Sequence, residues 1–381
     1  MIGLRGIPAS YGGVERAVEE LSSHLVAGGH EVTVYARRGY SDKGVRSVGG
    51  VRIVTLPHVP TKHLEAITHT FLAVIHAGLR RNLDIVHIHA TGPALFSFVP
   101  RVLGIPVVAT VQGLDWRREK WGKVARGVLW VAARAAGRLP NRTIVVSREL
   151  KRFYQEEVGL ETVYIPNGVT AAPTSPSLRR PSELPPLTAG GYVLFLGRIV
   201  PEKHVHTLVS AFASVPAGSD LVIAGPSSHS DDYVRRVQEL ADRDSRVHVV
   251  GPQYGVAKTW LLRNAAVFVQ PSSIEGLPIA LLEAMAEGAY PIVSNIPENI
   301  EPVTVEGQTL CRSVPVDDPA SLGRAIGAAL LDPERPQIAE ALRANVALVY
   351  DWAQICDETV EVYRDVMRGR SARPTDPYRP L

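Results

Sequence analysis

The stretch IPNGVTAAPTSPSLRRPSELPPLTAGG, residues 165–191, divides the chain. Proline, serine and glycine crowd it and no apolar period survives, the composition of a connection between domains. On its N-terminal side the short apolar runs MIGL, EVTVYA, VRIVTLP, DIVHIHA, IPVVATV and RTIVVS alternate with helical patterns such as Val14, Ala17, Val18, Leu21 and Leu25. On its C-terminal side the alternation restarts with YVLFLG, DLVIAG, RVHVVG, AAVFVQPS and YPIVSN. Such runs, rich in valine and isoleucine and bounded by Gly, Pro or Asp, read as buried strands. Strand–helix alternation implies parallel sheets covered by helices on both faces. The expected fold is therefore α/β, with two doubly wound Rossmann-like domains facing each other across a cleft at the carboxyl ends of both sheets. The boundaries read from the pattern are 1–168, a linker at 169–190, a second domain at 191–350, a helix at 351–368 packing back toward the first domain, and a disordered polar tail at 369–381.

Composition bounds the function. The 381 residues exceed what one core normally serves, and 45% hydrophobic with 21% charged residues describes an ordinary globular protein. A formal charge of +3 gives no reason to expect nucleic acid. The two cysteines, Cys311 and Cys356, are far apart and belong to no Cys/His grouping, which argues against a disulfide framework or a structural zinc. MIGLRGIPAS lacks a hydrophobic signal region, and no apolar run reaches the length of about eighteen residues that spans a bilayer. The expected location is the cytoplasm, with room for peripheral contact at the inner face of a membrane.

Three stretches carry chemistry. In SSIEGLPIALLEAMAEG, residues 272–288, a helix from about Pro278 is apolar on every side yet contains Glu283, and Glu275 stands just before it. A glutamate in such surroundings needs a partner. The amides of Gly276 and Leu277 at the helix start make an anion site, and Glu283 lies roughly 7–8 Å further along the axis. That spacing suits a nucleotide with its phosphate at one end and its ribose diol at the other; an interior ion pair with arginine would account for Glu283 equally well. In FLGRIVPEKHVHTLVSAF a strand ends at Gly197, and Arg198 and Lys203 stand where the next helix opens, a way to hold a diphosphate without metal. In GLRGIPASYGGVERAVEEL, Gly12 and Gly13 precede a helix, but the spacing is not the dinucleotide fingerprint, and a bare strand–helix turn would carry the same glycines.

Taken together, EGLPIALLE, GRIVPEK after a strand, VIAG, YIPNGV and GLRGIPASYGG resemble the family-four retaining glycosyltransferases of GT-B fold, over the chain to about residue 365. The resemblance implies transfer of a sugar, with retention and without metal or other cofactor, from a nucleotide-diphosphate sugar (a UDP-sugar for preference) to a small-molecule, glycan or lipid-linked acceptor. It implies that Glu283 holds the ribose, that Glu275 lies near the sugar, and that Gly276, Leu277 and Pro278 meet the diphosphate. Arg198 and Lys203 would neutralise the leaving group, Gln253 and Tyr254 would contact the base, and Gly12 and Gly13 would approach the donor. On the acceptor side stand Tyr11, Glu15, His89, Asp115, Arg117, Arg118 and Lys120. The family's usual histidine after the fourth strand is replaced by Gln112, which cannot become cationic. His204 stands where a glycine commonly follows the lysine. Two rival readings share the fold: a nucleotide-sugar epimerase and a non-catalytic nucleotide-sugar sensor.

Metal ligands are weakly signalled. His87 and His89 share one face of a strand but lack a third ligand in sequence, and Asp242 and Asp244 read as a solvated helix end. The basic stretch 116–142 sets an apolar face (Trp121, Val124, Ala125, Val128, Leu129, Ala132) among cations that include Arg126, Arg134 and Arg138. It fits packing on the first sheet with solvated charge, or else peripheral contact with a membrane or a phosphorylated acceptor.

Overall fold

The computed structural model describes residues 1–9, 12–40, 44–61, 64–80, 82–113, 123–170, 178–227 and 231–369, and within the helix Lys123–Arg138 the side chains of residues 123–126, 128 and 129 lie outside it. The chain forms two compact units: Met1–Gly168 together with the C-terminal segment from Trp352, and Val169–Asp351.

The first unit contains β1 (Thr33–Arg37), β2 (Ser47–Val48), β3 (Val51–Leu56), β4 (Val86–His89), β5 (Val107–Val111), β6 (Arg142–Val145) and β7 (Val163–Tyr164). β2, β3 and β1 pair in that order, and β4 to β7 pair consecutively. The opening residues join the two sets. Ile2 N–H donates to His87 O at 2.9 Å and His89 N–H to Ile2 O at 2.8 Å, while Tyr35 N–H donates to Met1 O at 3.0 Å. MIGL is thus one isolated bridge rather than a strand. Gly3 explains the interruption: its φ of 108° leaves extended backbone, and a Cβ there would lie 2.0 Å from His89 O. With this segment counted as the first strand and the two-residue β2 left aside, the order is 3-2-1-4-5-6-7, doubly wound. Among the described residues of the unit one pair is antiparallel: β2 with β3, which turns at Gly49 and Gly50, whose φ of 54° and 82° suit a tight hairpin.

The second unit contains β8 (Tyr192–Leu196), β9 (Asp220–Ala224), β10 (Val247–Gly251), β11 (Val267–Gln270), β12 (Tyr290–Ser294), β13 (Thr304–Val305), β14 (Gln308–Thr309) and β15 (Arg312–Val314). Its main sheet runs β10-β9-β8-β11-β12-β15, parallel throughout. Counting the main-sheet strands alone, this is 3-2-1-4-5-6, the dinucleotide-fold order, with its switch point between β8 and β11. Val193, Phe195, Leu221, Ile223, Val267, Val269 and Ile292 are buried between the helical layers, each large side chain contributing roughly 1.5–3 kcal/mol. β10, read from sequence as buried, is half-buried along its length because it is an edge strand with one neighbour. Part of the stretch read as linker packs against this unit: Leu184 and Leu187 are buried, and Gly190 N–H donates to Asn264 O at 2.8 Å.

The helix Trp352–Met367 packs in the first unit against the helix Gly13–Ala27. Trp352 stacks on His24, and Gly168 lies so close to the indole that a Cβ would meet it at 2.6 Å. Among the described residues, no helix is long and apolar enough to cross a membrane.

Candidate active site

Loops that leave the carboxyl ends of β8 and β11 must run side by side, because those strands are neighbours whose connections depart toward opposite sides. After β8 come Gly197 and Arg198, a single tight turn at Pro201–Lys203, and the helix Val205–Phe212. Close approach is permitted by Gly225 at the end of β9: its φ is 151°, and a Cβ would lie 1.8 Å from Gly197 O. After β11 come Ser272, Glu275, Gly276 and Leu277, then the helix Ile279–Ala286. Pro278 is the N-cap, one position before the first turn in which the sequence had placed it.

The two loops are tied at both backbone and side chain. Ser273 N–H donates to Glu202 O at 3.0 Å, and Lys203 Nζ pairs with Glu275 Oε1. Gln270 Nε2 also donates to that carboxylate oxygen and, at 3.1 Å, to Ser272 Oγ. Behind them Asn299 Nδ2 donates to Ser294 Oγ at 2.8 Å, and Ser294 Oγ donates to Ser272 O. This buried polar net fixes the backbone at 270–275. Among the described residues, the amides of Gly276 and Leu277 have no acceptor.

Glu283 sits mid-helix between buried Leu282 and Ala284, and its carboxylate accepts from Lys258 Nζ at 2.6 Å. Lys258 comes from the helix Gly255–Asn264, whose N-cap is Tyr254. The same two elements are joined again at Arg263 and Glu287, 2.8 Å apart. The ion-pair partner of Glu283 is therefore a lysine, not the arginine considered from sequence. Gln253 Nε2 donates to Val250 O at 2.8 Å, and Tyr254 is exposed beside it. Arg198, Lys203, Glu275, Gly276, Leu277 and Pro278 thus stand on two loops at one switch point, with Glu283, Gln253 and Tyr254 on flanking elements of the same unit.

In the first unit Gly12 caps the helix that begins at Gly13. Glu15 is turned inward and accepts Arg5 N–H at 3.2 Å, which orders the glycine-rich loop. Gln112 follows β5, and its Oε1 accepts from Asn167 Nδ2 at 3.0 Å, so the ATVQG and YIPNG motifs meet. His87 and His89 are core residues with ring centroids 4.1 Å apart. His87 is bonded to Tyr363 Oη at 2.6 Å and Thr110 Oγ1 at 2.7 Å. Burial holds His87 well below its ordinary value and His89 down to about 3, so both are neutral. Asp244 pairs with Arg246 at 2.7 Å, and Asp242 accepts from Gln238 Nε2 at 2.8 Å. Tyr11, Asp115, Arg117, Arg118 and Lys120 lie outside the described residues. Two cations of the basic stretch are engaged: Arg134 Nη2 and Arg138 Nη2 each donate, at 2.7 Å, to the carbonyls of Glu157 and Val158. Those are the last carbonyls of the helix Arg148–Val158, where positive charge is favoured.

Sequence reasoning missed Lys258, Gln270 and Asn299. Gln270 carried a signal, a polar residue closing the apolar run AAVFVQ; the other two became visible only once packing chose their partners.

The chain matches the sequence patterns of Glycosyltransferase Family 4 over residues 11–172 and of Glycosyl transferases group 1 over residues 183–345. It is 29% identical to the glycogen synthase of Mycobacterium tuberculosis (strain ATCC 25618 / H37Rv), covering 97% of this chain and 95% of that protein. Identity to the phosphatidyl-myo-inositol mannosyltransferase of Mycobacterium leprae is also 29%, covering 94% and 95%. The fold is shared with sucrose-phosphate synthase from Thermosynechococcus elongatus, at a TM-score of 0.79, 21% identity, and coverage of 97% and 98%. It is shared too with Anabaena HepE in complex with UDP and glucose, at 0.75, 18%, and coverage of 93% and 96%. Two Rossmann-like units with these matches define a glycosyltransferase of GT-B architecture. The chain belongs to glycosyltransferase family four.

Proposed function

We propose that the chain transfers a sugar, with retention, from a nucleoside-diphosphate sugar to a glycan, lipid-linked or small-molecule acceptor. The observation that carries this reading is the meeting of Lys203 and Glu275 beside Arg198 and the unengaged amides of Gly276 and Leu277. The diphosphate would lie on those amides, with Arg198 and Lys203 neutralising the charge that grows as the nucleotide departs. Glu283 would exchange its lysine for the ribose diol, and Gln253 and Tyr254 would border the base. Glu275, freed from Lys203, would face the sugar. On the first unit, Gly12, Gly13 and Gln112 would serve the donor and acceptor, joined by Tyr11, Asp115, Arg117, Arg118 and Lys120. Glu15 and His89, both turned inward, would act by holding their loops. A UDP-sugar is the first choice of donor, supported by the UDP and glucose bound in HepE. The transfer step draws its positive charge from Arg198 and Lys203 and needs no metal.

Incubation with labelled nucleotide sugars tests the reading: free nucleotide and a glycosylated product with the donor's anomeric configuration are expected. An epimerised donor, or binding without turnover, would overturn it. Turnover should persist in EDTA. Its loss there would contradict a metal-free transfer step.

A further inference from the structure

Directly after Lys203 the chain enters a cluster that the proposed reaction does not use. His204 and His206 stack with ring centroids 5.5 Å apart, and Asp317 reaches both from the turn between β15 and the helix Pro319–Leu330. Asp317 Oδ1 is 3.3 Å from His204 Nδ1 and 3.5 Å from His206 Nε2. One donor atom from each residue falls within 4.8 Å of the others. These gaps are long for a charge-assisted hydrogen bond, about 2.7–2.9 Å. The two carboxylate–imidazole distances match the edge of a tetrahedron around a metal, where ligands at about 2.0–2.2 Å stand about 3.4 Å apart.

The backbone supplies a second observation. His204 has φ of 48° and Asp317 φ of 58°, so half of the four described non-glycine residues at positive φ belong to this cluster. Strain of that kind persists where surrounding interactions hold it, commonly at ligand clamps.

The outer shell is suited to the same end. His206 Nδ1 lies 2.9 Å from Tyr233 Oη, which also accepts His206 N–H at 3.3 Å. The tautomer with Nδ1–H on that oxygen leaves the Nε2 lone pair facing Asp317, the orientation that second-shell partners give a metal-binding imidazole. Thr207 Oγ1 donates to Asp317 Oδ1 at 2.5 Å and steadies the carboxylate. The histidine side chains are 14% and 19% exposed and the aspartate 58%, so the cluster opens to solvent on the carboxylate side.

We propose that His204, His206 and Asp317 form a three-ligand site for a late first-row divalent cation of the zinc type, its remaining position open to water. Two imidazoles and one carboxylate favour zinc, cobalt or nickel over magnesium or calcium, which prefer all-oxygen shells. A bound ion ties the turn after Lys203 to the turn before Pro319, and this holds whatever Lys203 meets.

The test is titration of the full chain, freed of any histidine tag and pre-treated with chelator, with cobalt(II) followed by visible absorption. One equivalent should bind with the bands of a low-coordinate nitrogen–oxygen site, and zinc should displace it. His206→Ala and Asp317→Asn should each weaken binding by about tenfold or more. His204→Gly removes a ligand while suiting the backbone, so it carries the test should another variant fail to fold. Absence of saturable binding by wild type, or equal affinity in His204→Gly, would overturn the site.

Discussion

Lys203 and Glu275 neutralise each other before any ligand arrives, with side chains only 15% and 10% exposed. On the proposed reading, an incoming diphosphate would draw the lysine away, and the charge it meets would grow as the nucleotide leaves. Lys203→Ala should therefore lower kcat by about 10²–10³, the range for losing one transition-state donor, with a smaller effect on donor affinity. A higher KM with unchanged kcat would contradict the leaving-group role. Glu283 poses the opposite question, since Lys258 already satisfies it. Glu283→Gln should weaken nucleotide binding by about 1–3 kcal/mol in calorimetry, through a lost ribose contact. Lys258→Met removes the same ion pair but keeps the carboxylate. Equal binding losses in the two variants would reduce Glu283 to a structural partner. That a mid-helix glutamate needs a partner was legible from Leu282, Glu283 and Ala284 alone. The identity of the partner was not, because Lys258 is placed by another helix.

At the scale of elements, the central strands were readable because strands buried on both faces are unbroken apolar runs, as in YVLFL and VFV. Reading failed where pairing, not composition, decides. MIGL has strand residues but makes only one bridge, and β10 has them but sits on an edge. The His204–His206–Asp317 cluster was illegible for a related reason, since its aspartate lies 113 residues beyond the first histidine. Glycine positions were legible as loops but not as contacts. Gly225→Ala should cost about 2–5 kcal/mol in urea unfolding, from overpacking against Gly197 O together with the unsuitable φ. A loss below 1 kcal/mol, on the order of a surface substitution, would show that these chain ends can part.

β4 and the helix Glu65–Gly78 bring three buried histidines into the first unit: His87, His89 and His69. Burial lowers His69 from its ordinary value near 6.5 to about 4 and His89 to about 3, with His87 also well below. The unfolded chain then binds more protons than the folded one below about pH 6.5, so stability is full above that pH and falls as pH drops toward the folded values. Each histidine should cost on the order of 1–2 kcal/mol between pH 6.5 and 5. Urea midpoints measured at pH 7.5 and 5.0 check this, and equal stability at both would mean the imidazoles protonate without opening the fold.

For the whole molecule, both units use one plan: mainly parallel strands whose order reverses at a central pair. The chain leaves the first unit after Gly168 and returns at Trp352. Val169 N–H donates to Tyr350 O at 2.8 Å, and Gly168 lies against the Trp352 ring, so departure and return are adjacent. The second unit is therefore a cassette inserted into the first, and its excision leaves a gap that a tight turn can bridge. Closing so short a loop costs little chain entropy. A chain joining Gly168 to Trp352 through a few glycines and serines should melt cooperatively, with Trp352 still shielded beside His24. Failure of that fused chain to fold would mean that the outer unit acquires its order only with the cassette in place.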